Sequence, residues 1–414
     1  MNTSLNEVTH HNQYVLITSN MYRPSIGGIE NSLYHLGQEY KSLGYKVIIV
    51  ASDINGLGLC LPEFEVEDGI DIYRYRACSG QGFLGFTKHI YHAYSLYKHI
   101  LKKYNPAVVV CRYHFNLILL DMAGYKNISY LIPGVVKNET LASLPQNIKG
   151  IAKLRSKASF LFHTRLQSKA IKQAKSLFVF SQNMLDQVRE LTSRQDILVT
   201  KPGVSLKRFF PLSQNEKLVA REKLGIATNK KVFLCIGRLV KAKGFETAIR
   251  AINLLNKDNA ELWVLGEGPL NEEFKILINQ LNCQAKVKLL GRQSSPETYY
   301  QAADFFVMSS VYEPLGQTIL EGLASGLPII SAPSSGSIVT ASNEIIDAEK
   351  NFFTFEHSVD AFCSAFLQAS EFDDEKYQMV SQYNREQAEI RFSWSTLAKV
   401  LILDTPNEKN IEGH

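Results

Sequence analysis

Short apolar runs recur along the chain, separated by stretches with helical spacing. Tyr14-Val-Leu-Ile-Thr18, Lys46-Val-Ile-Ile-Val50, Ala107-Val-Val-Val-Cys111, Ile128-Ser-Tyr-Leu-Ile132, Leu177-Phe-Val-Phe180 and Ile197-Leu-Val-Thr200 read as strands. Continuous β-branched and aromatic runs are what a parallel sheet covered on both faces requires. Between the first two, Leu33, Leu36 and Tyr40 predict a helix from about Glu30 to Leu43, ended by Gly44. Lys201-Pro-Gly-Val-Ser-Leu-Lys-Arg reads as a linker, and the rhythm then restarts. The second set of strands is Val232–Ile236, Glu261–Leu265, Val287–Leu290, Phe305–Met308 and Pro328–Ser331, with helices near 245–256, 270–281 and 315–325 and helical material after about 357. Strand alternating with helix is the signature of α/β domains with parallel sheets. The pattern predicts an α/β chain of two Rossmann-like domains facing across a cleft, residues 1–203 and 204–390, with a closing segment 391–414.

The length of 414 residues suits two cores better than one. Six cysteines, at 60, 78, 111, 235, 283 and 363, show no metal spacing and suggest reduced thiols with neither a disulfide framework nor zinc. The N-terminus is polar, without a signal-peptide core, and no apolar run approaches the length of a membrane span. A cytoplasmic protein is expected. Charge divides unevenly: residues 1–200 hold 22 Lys+Arg against 14 Asp+Glu, and the remainder 23 against 26. The excess gathers in residues 149–175, where eight cations and no acid are interleaved with Ile151, Leu154, Phe160, Leu161, Phe162, Leu166 and Ile171. A basic apolar helix suits an anionic bilayer surface, which would place the protein at the inner face of a membrane; an ordinary basic helix face reads the same. Nucleic acid is not expected, because no nucleic-acid motif accompanies the charge.

The most telling stretch is Glu313-Pro-Leu-Gly-Gln-Thr-Ile-Leu-Glu321. A helix opening near Leu315 would present unpaired N–H groups at Gly316, Gln317 and Thr318, a natural seat for phosphate. Glu321, about 9 Å along that helix, could accept hydrogen bonds from two vicinal hydroxyls, as on a ribose. Glu313 would face a group on the other side of the phosphates. Taken alone, the two carboxylates could equally be a solvated loop Glu and an exposed helix Glu. Arg238 and Lys243 follow a buried strand between Gly237 and Gly244, and two cations at that place suit a diphosphate. A dinucleotide site is disfavoured, since the first strand leads into no G-x-G-x-x-G, and Gly266-Glu-Gly268 is followed by Pro269.

These segments resemble, in order, the motifs of the family 4 retaining glycosyltransferases, which have the GT-B fold. The resemblance rests on Gly27-Gly28-Ile-Glu-Asn, Gly237-Arg238-Leu-Val-Lys-Ala-Lys243-Gly244, Leu265-Gly266-Glu-Gly268-Pro269, the Glu313–Glu321 pair as an E-x7-E motif, and Arg391-Phe-Ser-Trp394. It implies transfer of a sugar from a nucleotide diphosphate sugar to a hydroxyl of a glycan or lipid-linked acceptor, with retention at the anomeric carbon. Cell-surface polysaccharide or lipopolysaccharide synthesis is the expected setting. By the same resemblance Gly28, Arg238, Lys243, Gly266, Arg292, Leu315, Gly316, Gln317 and Glu321 bind the donor. Glu313 and His114 stand at the reacting sugar, and the last helix returns to the first domain. No D-x-D triplet occurs, so no obligatory metal is expected, and the nucleotide sugar is a co-substrate, not a cofactor. The chain departs from the family at Pro333–Glu344, where a Gly-Gly-x-x-Glu loop is usual. Another enzyme on the same fold, such as an epimerase or phosphorylase, and a non-catalytic sugar-nucleotide or membrane-binding protein remain as alternatives.

Overall fold

The structure, a computed structural model, describes residues 13–25, 27–54, 60–77, 82–136, 151–313 and 316–403. The first domain is built on an eight-stranded sheet in the order β3-β4-β2-β1-β5-β6-β7-β8. Its strands are β1 (Tyr14–Thr18), β2 (Lys46–Ser52), β3 (Phe64–Glu67), β4 (Ile70–Tyr75), β5 (Val108–Cys111), β6 (Ile128–Leu131), β7 (Ser176–Val179) and β8 (Ile197–Val199). All neighbours pair in parallel except β3 and β4, which form an antiparallel edge. The predicted first helix is present as α1 (Gly28–Ser42), with Leu33, Leu36 and Tyr40 fully buried against the sheet. The apolar periodicity alone dictates that face. Helices α2 (Gly82–Tyr104), α3 (His114–Met122), α4 (Ile151–Gln173) and α5 (Gln182–Arg189) complete the domain.

The second domain carries a six-stranded sheet, β11-β10-β9-β12-β14-β16. It consists of β9 (Lys231–Ile236), β10 (Ala260–Leu265), β11 (Val287–Gly291), β12 (Phe305–Met308), β14 (Ile329–Ser331) and β16 (Phe352–Phe353). Its neighbouring strands pair in parallel. A small parallel pair, β13 (Tyr312–Glu313) with β15 (Val339–Thr340), sits beyond the end of β12. In both sheets the chain order reverses at one crevice, between β1 and β5 in the first and between β9 and β12 in the second. Such a switch point, at the carboxyl ends of the strands, is where open α/β sheets bind ligands.

Among the described residues, the halves meet at the linker and closing helix, at Glu344 and at Gln317. Val204 donates its N–H to the carbonyl of Phe392 at 3.1 Å, and the closing helix Trp394–Leu403 then crosses to the first domain. There Trp394, Leu397, Ala398 and Leu401 join its core, and the Trp394 ring stacks on His35 at 5.1 Å. Glu344, in the short helix Ser342–Ile345 that ends the stretch where the sequence departs from the family pattern, accepts from the backbone N–H groups of Gln182 and Asn183 at 2.7 and 3.1 Å. Gln317 Nε2 donates to the Gly203 carbonyl at 3.2 Å.

Cysteine chemistry corrects one expectation. Cys111, Cys235, Cys283 and Cys363 are free thiols, but Cys60 is disulfide-bonded to a partner outside the described residues. The absence of metal spacing carried no information about a bridge at the edge of the first sheet. No helix among the described residues is long and apolar enough to cross a membrane.

Candidate active site

The second sheet's switch point gathers the cations and carboxylates singled out in the sequence. From the end of β9 the chain runs through Gly237 and the exposed Arg238 into a single 3-10 turn, Lys241–Lys243, closed by Gly244 in the left-handed conformation (φ 59°). A Cβ on Gly244 would lie 1.9 Å from the carbonyl oxygen of Ser309, so only glycine lets this loop pack on the end of β12. The contact is reinforced by Ser309 Oγ donating to the Lys243 carbonyl at 3.0 Å and by Val311 N–H donating to the Ala242 carbonyl at 2.9 Å. As a result Lys243 Nζ and Glu313 form an ion pair, with the two side chains 20% and 13% exposed.

Glu313 also turns towards the helix that follows, α10 (Gln317–Ala324), in the labelling in which α6 (Gln214–Lys223), α7 (Phe245–Leu254), α8 (Asn271–Gln280) and α9 (Pro296–Ala302) precede it. The helix begins two residues later than expected, and the Gly316 N–H is directed at Glu313 Oε1 at 3.4 Å. That amide is therefore not open for phosphate: the carboxylate sits over the helix start, drawn by the same dipole. Gln317 departs from expectation as well, because its side chain reaches to Gly203 at the domain junction. Its Oε1 is buried without a hydrogen-bond partner. Leu315 lies outside the described residues.

Glu321 is buried, not solvated, one face of α10 being packed on β12 and β14. Tyr300 Oη donates to its Oε2 at 2.9 Å. Burial pushes the carboxyl up to about 7; the Tyr300 hydrogen bond and the charge of Arg208 pull it down, and Glu297 raises it. Arg208 and Glu297 are themselves paired at 2.7 Å.

The other end of the crevice is closed by Gly266. Its Cβ would collide with the Gly237 carbonyl at 1.9 Å, so the loops after β9 and β10 lie directly on each other. Gly266 N–H donates to the Gly291 carbonyl at 2.8 Å, which sets the exposed Arg292 at the next strand end. Arg238, Lys243, Gly266, Arg292, Glu313, Gly316 and Glu321 thus all lie at the carboxyl ends of β9, β10, β11 and β12.

The first domain contributes Gly28, at the start of α1, and His114, at the start of α3. His114 does not present both nitrogens to the cleft: its Nε2 is 3.0 Å from His163 Nδ1 on α4. Burial, with the neighbouring His163, lowers its pKa to about 3, so it is a neutral imidazole at physiological pH. Tyr300, His163 and Glu344 were not foreseen. Glu30, the expected start of the first helix, lies in the first turn of α1.

The family model described as "Glycosyl transferases group 1" matches residues 216–387, which contain β9 to β16 with Arg238, Lys243, Gly266, Arg292, Glu313, Gly316 and Glu321. HepE of Anabaena, in a crystal structure with UDP and glucose, superposes with a TM-score of 0.72 at 16% identity, over 95% of this chain and 99% of that one. This chain's second domain matches the group 1 glycosyltransferases. The chain's architecture is GT-B. An uncharacterised glycosyltransferase of Methanocaldococcus jannaschii is 26% identical over 78% of this chain and 81% of that relative. The lipopolysaccharide core biosynthesis glycosyltransferase LpsD of Rhizobium meliloti is 32% identical, over 39% of the chain and 44% of its own length.

Proposed function

We propose that the protein transfers a hexose, with retention, from a nucleotide diphosphate sugar to a hydroxyl of a glycan or lipid-linked acceptor in the assembly of a cell-surface polysaccharide or lipopolysaccharide. The carrying observation is the convergence of Arg238, Lys243, Glu313 and Glu321 at one switch point. Two cations on the β9 loop meet the donor diphosphate and neutralise the charge that grows as the sugar departs. Glu321, held by Tyr300, takes the ribose hydroxyls, and Arg292 with Gly266 lines the base. Glu313 fixes hydroxyls of the transferred sugar. No residue is assigned as a covalent nucleophile; the departing phosphate takes the acceptor proton, and the protein acts by positioning and charge. His114, neutral, hydrogen-bonds the donor sugar and is neither acid nor base.

With no D-x-D triplet in the sequence, transfer proceeds without an obligatory metal. Placement at the inner face of a membrane rests on α4, where Leu161 and Phe162 are 50% and 42% exposed beside exposed Arg165, Lys169 and Lys172. An apolar tip among cations suits an anionic bilayer. The lipopolysaccharide setting follows the name of the Rhizobium relative, and a nucleotide-sugar donor follows the ligands of HepE.

The test is a panel of UDP- and GDP-sugars with the purified protein, with and without chelator, read by nucleotide release and thermal shift, with product analysis when an acceptor is added. A chelator-insensitive response to one donor supports the reading and fixes the sugar. Release that needs a divalent cation overturns the metal-independent part, and an epimerised donor without transfer overturns the whole.

A further inference from the structure

The first sheet's switch point holds a charge arrangement that the second-domain site does not account for. Glu30 lies on the first turn of α1, just after the β1 crevice, and is 8% exposed. Its carboxylate folds back over the helix start: a Cβ on Gly27 would lie 2.4 Å from Glu30 Oε2. Behind it, at the end of β5 on the other side of the crevice, stands Arg112, 1% exposed, with its guanidinium 5.2 Å above the Phe180 ring. Arg112 Nη1 donates to Ser32 Oγ on the next turn of α1. Its Nε and Nη2 are buried with no hydrogen-bond partner among the described residues. Those two atoms form the guanidinium edge that grips a carboxylate through two parallel bonds. Arg238, on the β9 loop of the opposite domain, lies close enough for its charge to act on Glu30. Burial raises the Glu30 carboxyl, and a backbone hydrogen bond and the charges of Arg112 and Arg238 act to lower it, so cations of both domains act on this one carboxylate.

We propose that Glu30 is an exchangeable counter-ion of the donor site, which gives up Arg238 to the diphosphate of a nucleotide and turns to the unpaired edge of Arg112. The inference rests on the reading of Arg238 and Lys243 as diphosphate ligands. A diphosphate at Arg238 brings negative charge against Glu30, whose burial leaves it little solvent to screen the repulsion. Arg112 offers the carboxylate an unpaired guanidinium edge on the first-domain side. Ser32 and Phe180 hold the guanidinium in register for that turn.

UDP and GDP binding, measured by calorimetry on the full chain, tests this. Glu30→Gln removes the competing charge and should bind the nucleotide about 3- to 10-fold more tightly, the size of one screened like-charge contact. Glu30→Ala should shift in the same direction and serves if the glutamine variant does not fold. Arg112→Gln should weaken binding in the Glu30 protein and leave it unchanged in the Glu30→Gln protein. Wild-type protein that binds neither nucleotide would overturn the diphosphate reading and this inference together. Wild-type binding that is unchanged or weakened by Glu30→Gln would overturn the counter-ion alone, and equal effects of Arg112→Gln in both backgrounds would remove Arg112 from it.

Discussion

Lys243 and Glu313, seventy positions apart in the chain, are held as an ion pair where the β9 loop packs on the end of β12. The pair joins the residue proposed to meet the donor phosphate to the one proposed to hold the sugar, so each is the other's partner until a donor separates them.

The two substitutions should therefore part company. Lys243→Met removes a cation from the phosphate, and a hydrogen bond to a charged group is worth about 1.5–3 kcal/mol, or roughly 10- to 100-fold in UDP affinity. Glu313→Gln frees Lys243 and should leave UDP affinity within about 3-fold or improve it, while transfer falls by about 100-fold or more. Calorimetry and turnover on the same preparations read both. Equal losses of affinity in the two variants would refute the division of roles.

Glu321 gives the protein a pH dependence. Burial raises its folded pKa above the ordinary 4.5, to about 7. The native state then keeps a proton that the unfolded chain has released, and stability falls as pH rises through that window. The contribution is fully present below pH 4.5 and gone above about 7. The stability of the wild type, followed by thermal unfolding against Glu321→Gln, should therefore decline between pH 5 and pH 8 by on the order of 2–3 kcal/mol. Tyr300→Phe deletes the hydrogen bond that favours the carboxylate, and should make the decline steeper. UDP affinity should move the other way and rise through pH 7, because ribose hydroxyls donate to the ionised form. A flat melting profile would show Glu321 to be ionised throughout.

The strands were legible because buried parallel strands write themselves as unbroken apolar runs. Tyr14–Thr18 and Phe305–Met308 lie where the sequence places them. The edge pair β3 and β4 was not seen: Phe64-Glu-Val-Glu67 is exposed or half-buried throughout, and a charged edge looks like loop. At the site, glycines and charges marked the right loops, but side-chain direction was hidden. Gln317 follows the pull of the Gly203 carbonyl, and His114 that of His163, both from segments far away in sequence. Glu344 was noted only as a departure from a family pattern, because nothing local shows that it crosses to another domain.

That crossing has a measurable consequence. Glu344 caps the start of α5 with both carboxylate oxygens, and Asn183 Nδ2 donates to Ser334 Oγ beside it at 3.2 Å. An anion at a helix N-terminus contributes about 0.3–1 kcal/mol when exposed and up to ~2 when partly buried. Glu344→Ala should therefore loosen the domains without unfolding either: solution scattering should show a larger radius of gyration, and the melting temperature should fall by no more than a few degrees. An unchanged scattering curve would mean that the capping contact does not hold the halves together.

The junction itself depends on Gly203 and Trp394. A Cβ on Gly203 would lie 2.3 Å from Trp394 Cδ2 and 2.6 Å from its backbone nitrogen, with the indole held on its other side by His35. Neither atom is the far end of a flexible chain, so the strain of Gly203→Ala must move the linker or the closing helix. Overpacking of this kind costs about 1–3 kcal/mol or more. The closing helix buries Leu397, Ala398 and Leu401 in the first core, so the loss should reach that domain as well as the junction. Thermal unfolding should show a lower melting temperature for Gly203→Ala, and Trp394→Ala in the same background should cost less than it does alone, because the part of the collision that falls on the ring has gone. Additive losses in that double-mutant cycle would place the strain elsewhere.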